Sequence, residues 1–139
     1  MPTKISKREA VAIVPLASNS QLPSTATHFA NVNAKKSVWW LDIAVEKFAA
    51  ARYSDIDLLV VTADGNTIHH LRVPTAYVRD NISSFHVRVH NDKDFVSLEL
   101  SSSVGNLFQD VRPRSKKLNF AQFLVASLPT TSSIASAHG

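Results

Sequence analysis

The chain has no cysteine, only three glycines and a single methionine among its 139 residues. The missing thiols exclude disulfides, thiolate metal sites and a cysteine nucleophile, so histidine and carboxylates are the remaining metal ligands. So few glycines leave no room for a phosphate-cradling loop. The strings Gly-x-Gly-x-x-Gly, Gly-x-x-x-x-Gly-Lys and Gly-x-Ser-x-Gly are all absent. No apolar run approaches the roughly 18 residues of a membrane helix. Residues 10–17, behind Lys4, Lys7 and Arg8, have the outline of a secretory leader, but the run is short and Pro15 interrupts it. A cytoplasmic protein with no membrane contact is the expectation.

Net charge is +4, and its distribution matters more than its size. Lys4, Lys7, Arg8, Lys35 and Lys36 outweigh Glu9 in residues 1–36, which carry the whole excess. Residues 37–128 balance cations against anions. A basic arm on a neutral domain is a different object from a basic domain.

Residues 1–36 are rich in Ser, Thr, Asn, Ala and Pro without sustained periodicity, which reads as a flexible basic leader. Residues 129–139 read as a disordered tail by the same criterion. Between them, residues 37–128 read as a single α+β domain. Trp39, Leu41 and Ile43 alternate as a strand. Asp42 is a candidate cap for a short helix with Val45, Phe48, Ala49 and Arg52 on one stripe. The aliphatic run 56–62 suits a central strand covered on both faces. Asp64-Gly65 between two strand-like runs predicts a tight hairpin, with the return strand ending at Pro74.

Thr75 opens a short helix to Asn81. Residues 85–90 alternate again, with Phe85, Val87 and Val89 expected inward and His86, Arg88 and His90 outward. Val96, Leu98 and Leu100 continue a second hairpin after a polar turn. A further edge strand is expected near 108–111, and a final helix with Phe120, Phe123, Leu124 and Leu128 buried. The pattern predicts a mainly antiparallel sheet of about five or six strands with two or three short helices and flexible ends.

Several groups are candidates for chemistry. If the middle strands are neighbours, His70, Arg72, His86, Arg88 and His90 form one cationic patch suited to phosphate, though an ordinary solvated sheet face has the same composition. Arg112, Arg114, Lys116 and Lys117 crowd a loop able to grip a nucleic-acid backbone, or to serve only as a solvated connector. Trp39 and Trp40 must point to opposite faces of a strand. One is core, and the other is a stacking platform, a partner anchor or a residue under a helix.

Metal and hydrolytic readings are weaker. His86 and His90 on a strand stand roughly 13 Å apart, too far for one ion. Asp55 and Asp57 share a face at the start of a central strand, a reasonable place for metal ligands. Yet no Asp or Glu has a lysine two residues downstream, and Asp110-Val-Arg112 puts an arginine there, which cannot act as a general base. The sequence therefore favours a non-enzymatic binding module without metal or cofactor, contacting nucleic acid through its arm and loop. A protein-interaction or assembly subunit and a small metal-dependent, nuclease-like hydrolase are the alternatives.

Overall fold

The computed structural model describes residues 5–18, 22, 24–33, 35–49, 51–113 and 115–130. Its elements in chain order are α1 (Lys7–Ser18), β1 (Thr27–Asn33), β2 (Val38–Ala44), β3 (Asp55–Val61), β4 (Thr67–Pro74), α2 (Thr75–Asp80), β5 (His86–His90), β6 (Lys93–Ser101) and β7 (Leu124–Pro129). The strands form one seven-stranded sheet in the order β5-β6-β2-β1-β3-β4-β7. Every neighbouring pair is antiparallel except β1 with β3. No helix among the described residues is long and apolar enough to cross a membrane.

Two hairpins organise the sheet. Thr62 N–H donates to the Thr67 carbonyl at 3.0 Å, closing the turn in which Gly65 takes φ 76°. A side chain there would meet the left-handed penalty, and the Asp64 carboxylate locks the turn by accepting from Asn66 N–H at 2.9 Å. Asn91 and Asp92 both have positive φ, 51° and 62°, the signature of a two-residue turn matched to strand twist.

The sheet has two unlike faces. On the first, Trp39, Leu41, Ile43, Ile56, Leu58, Val60, Leu71, Val73, Val96, Leu98 and Leu100 form the main core. Phe48, Val78, Phe85, Phe108 and Phe120 close over it. On the second, α1 lays Ala10, Ile13 and Val14 against Leu59, Val61 and Ile68. Among the described residues, that helix covers the β1, β3, β4, β7 half.

Four expectations need correction. The leader reading of 1–36 fails for the described part, because β1 sits mid-sheet and α1 is packed, while residues 1–4, 19–21, 23 and 34 lie outside the described residues. The signal was present as Ser6-Lys7-Arg8-Glu9, a reciprocal cap in which Ser6 Oγ accepts from Glu9 N–H and Glu9 Oε1 from Ser6 N–H, each at 3.1 Å. The helix after Asp42 shrinks to a single 3-10 turn, Val45–Phe48, since Asp42 is held inside β2 by its pairing with Ser97. Residues 124–129 are not helical. Their helical spacing lost to the open edge of β4, where Ile68 pairs with Leu128, and Thr130 fastens the end by donating to Gly65 O at 2.7 Å. Pro129 thus ends β7 and Thr130 is bonded to the β3–β4 turn, and 131–139 lie outside the described residues. Finally, Val87 and Val89 are exposed rather than core, because β5 is the terminal strand and overhangs the first-face core.

Candidate functional site

The polar chemistry collects on the second face, in two centres. The first is buried at its acid and ring, and only Arg72 reaches solvent, its side chain 36% exposed. Asp57 on β3 stands opposite Arg72 on β4. His70 lies one pleat along on the same face. The Asp57 Oδ1 atom receives His70 Nε2 at 2.7 Å and Arg72 Nε at 2.9 Å. The His70 ring is 0% exposed, the Asp57 side chain only 4%, and His70 Nδ1 has no partner. A carboxylate with a ring on one side and a guanidinium on the other is satisfied where it stands. Among the described residues no three His, Asp or Glu groups are placed to hold a metal ion. Asp55 lies two residues along the same face and accepts from Ser54 Oγ at 3.2 Å.

The second centre is open. Pleat alternation that buries Trp39, Leu41 and Ile43 turns Trp40 and Asp42 to the other face, where Trp40 pairs with Glu99 and Asp42 with Ser97. The Glu99 side chain is almost buried and accepts the Trp40 indole N–H. Lys36 Nζ lies 3.5 Å from Glu99 Oε1 and 5.5 Å from the centre of the Trp40 ring. Arg112 Nη1 stands 3.9 Å from Glu99 Oε2. Trp40 itself remains 47% exposed. Its ring is therefore both held and presented.

Neighbouring groups complete this face. Arg88 Nη2 bonds Asp42 Oδ2 at 2.9 Å. Against the burial that raises it, hydrogen bonds from Arg88 and Ser97 hold Asp42 below the usual carboxylate value. Asp110 is fully buried, and burial pushes its carboxyl above the usual value although Oδ1 accepts from Glu99 N–H and Arg112 N–H. The basic loop folds back along β6, with Asp110 N–H on Leu118 O at 2.8 Å and Lys117 Nζ on Arg112 O at 2.6 Å. Lys116 is exposed, and its N–H reaches Ser84 O at 2.8 Å.

No family model, curated protein or solved structure matches this chain. The geometry must speak alone.

The structure separates the sequence candidates into groups. His70 and Arg72 belong to the sealed centre, whereas His86, Arg88 and His90 lie on β5, five strand positions away. At roughly 4.8 Å per strand that is about 24 Å, so no single patch unites them. Arg88 and Arg112 stand at the open centre, against Asp42 and Glu99, and Lys117 reaches the Arg112 carbonyl, whereas Lys116 is bonded through its backbone to Ser84 O. Arg114 lies outside the described residues. Trp39 is core, stacking on Phe108 at 5.6 Å and donating its N–H to Val61 O at 2.8 Å. Sequence reasoning missed Lys36, which it assigned to the leader, and the buried part of Glu99. Only the pairing of Trp40 with Glu99 across two strands reveals them.

Proposed function

We propose that the protein is a non-catalytic binding module that holds single-stranded nucleic acid against the open half of its second sheet face. The observation that carries this reading is Trp40, a large exposed aromatic fixed by its indole N–H to Glu99 and flanked by Lys36 and Arg112. A base stacks on any π-face without regard to sequence, and nearby cations take the phosphates. Lys36 and Arg112 supply those cations beside the platform, and Lys117, bonded to the Arg112 carbonyl, extends them along the loop. Glu99 is a buried anchor for the indole rather than a repelling surface charge.

Mixed-sequence single strands of DNA and RNA, titrated at low salt while tryptophan emission is followed, test the reading. Quenching is expected from Trp40, because Trp39 is sealed in the core. Affinity should fall steeply as salt rises. Trp40→Ala should weaken binding about ten-fold, within the range of one stacked base, with the fold retained. Undetectable binding of both nucleic acids at low salt would sink the proposal.

A further inference from the structure

A separate feature lies at the end of the sheet. β5 is a terminal strand, and among the described residues nothing pairs beyond it. Its partner β6 is joined by the two-residue turn after His90, so His90 and Lys93 form the closing pair. In an antiparallel ladder the backbone groups of alternate residues face the same way. Those of His86, Arg88 and His90 therefore face β6. Those of Val87 and Val89 face outward, away from any strand. Edges of this kind are normally blunted by lysine, proline or a bulge. β5 has none of these; its protections are its five-residue length and Arg88, whose charge is tied to Asp42, and they leave Val89 68% exposed and Val87 39%.

The strand reads His-Val-Arg-Val-His, the same in both directions. We infer that β5 is a self-association edge, pairing antiparallel with β5 of a second copy about a two-fold axis at Arg88. That register sets Val87 against Val89 and His86 against His90 along the whole strand. Every outward N–H and C=O of Val87 and Val89 then meets its counterpart, and the valines of both copies form one apolar row. Arg88 meets its own copy at the axis, but each guanidinium is already neutralised by Asp42 at 2.9 Å. This self-matching register, valine on valine with the charge at the axis already paired, selects a second copy over an unrelated strand.

The opposite edge, β7, also exposes Leu124 and Val125. A contact from β5 to β7 would be heterologous and would continue as an open chain. The symmetry of β5 instead closes a dimer.

Sedimentation of the full chain, free of nucleic acid, from micromolar to near-millimolar concentration measures the association directly. A monomer–dimer equilibrium is expected. Val89→Pro removes one outward N–H and leaves the β6 ladder intact, and Val89→Lys adds a repelling charge. Each should raise the dimer dissociation constant at least about ten-fold, with circular dichroism unchanged. The register has its own check, because the chain has no cysteine. Residues facing each other in a non-hydrogen-bonded antiparallel pair stand about 4.5 Å apart, within disulfide reach. Arg88→Cys should therefore cross-link to its copy on mild oxidation, and Val87→Cys and Val89→Cys should not. A strict monomer at all concentrations, an open polymer, or equal cross-linking at the three positions overturns the inference.

Discussion

The two halves of the second sheet face use nearly the same parts and put them to opposite ends. In the β3–β4 half an acid, Asp57, holds a ring nitrogen and a guanidinium. In the β2–β6 half an acid, Glu99, holds an indole N–H and lies beside a lysine and an arginine. What separates them is cover. The described side chains of α1 pack on Leu59, Val61 and Ile68 in the first half, and among the described residues no helix packs on the second. A paired acid under a lid is structural cement, because any incoming ligand must displace partners that water cannot replace. The same pair at an open face orients whatever it holds toward solvent. The two acids are equally buried, each side chain 4% exposed; what differs is the ring each holds, His70 at 0% and Trp40 at 47% exposed.

Breaking the sealed acid should produce the largest effect. Asp57→Ala leaves His70 and the inner part of Arg72 without their acceptor, a loss of about 3 kcal/mol on the scale of broken buried pairs. Glu99→Gln keeps an oxygen for the Trp40 indole and should cost less than about 1 kcal/mol. Urea unfolding of the two variants reads both values. Equal losses would mean that the two centres are equally structural, and the contrast would collapse.

A middle-sized effect lies in pH. His28, on the first face of β1, is half-buried, with Lys47 Nζ 3.4 Å from its Nε2. Burial first, then the charges of Lys47 and Lys7, lower its pKa from 6.5 to about 4. The folded protein thus keeps the ring neutral where the unfolded chain protonates it. Stability supplied by this group is complete above pH 6.5, falls as pH drops towards about 4, and then levels. With solvent screening the loss should be about 1–2 kcal/mol. His28→Gln should flatten that limb of the stability–pH curve. An unchanged slope would show that burial of polar rings in this half does not control their charge.

Legibility from sequence followed the same division. Period-two alternation exposed β2, β5 and β6, the unbroken aliphatic run 56–62 exposed β3, and Asp64-Gly65 located the hairpin that returns as β4. Helical spacing in residues 120–128 misled, because Phe120, Phe123 and Leu128 satisfy a helix stripe and a sheet edge alike. Only the vacancy beside β4 decides between them. The polar letters of β1, Thr-His-Phe-Ala-Asn-Val-Asn, concealed a strand paired on both sides. Of the site, the outward tryptophan was readable from the adjacent pair Trp39-Trp40. Convergence of Lys36, Glu99 and Arg112 was not, since it depends on strand pairing across more than sixty residues, as in the contact of Lys36 with Glu99. The cationic patch failed for the same reason: β4 and β5 are close in sequence but far apart in the sheet.

The smallest effect tests the cover itself. Ser6 and Glu9 cap α1 reciprocally, and Asn31 on β1 ties the entry to the helix by donating to Ile5 O at 3.0 Å. If α1 is a true lid, weakening its first turn must be felt by the sheet beneath, through Ala10, Ile13 and Val14 on Leu59 and Val61. Ser6→Ala should cost about 1 kcal/mol, the usual value of an N-cap, and the loss should appear in a single cooperative transition. Hydrogen exchange separates this from local fraying. A cooperative lid lowers the protection of β3 and β4 amides by the same factor as that of α1, roughly five-fold for 1 kcal/mol. Were α1 alone to lose protection while β3 and β4 kept theirs, the helix would be an appendage. Asp57 and His70 would then be sealed by their own strands, and cover by α1 would no longer explain why the two halves differ.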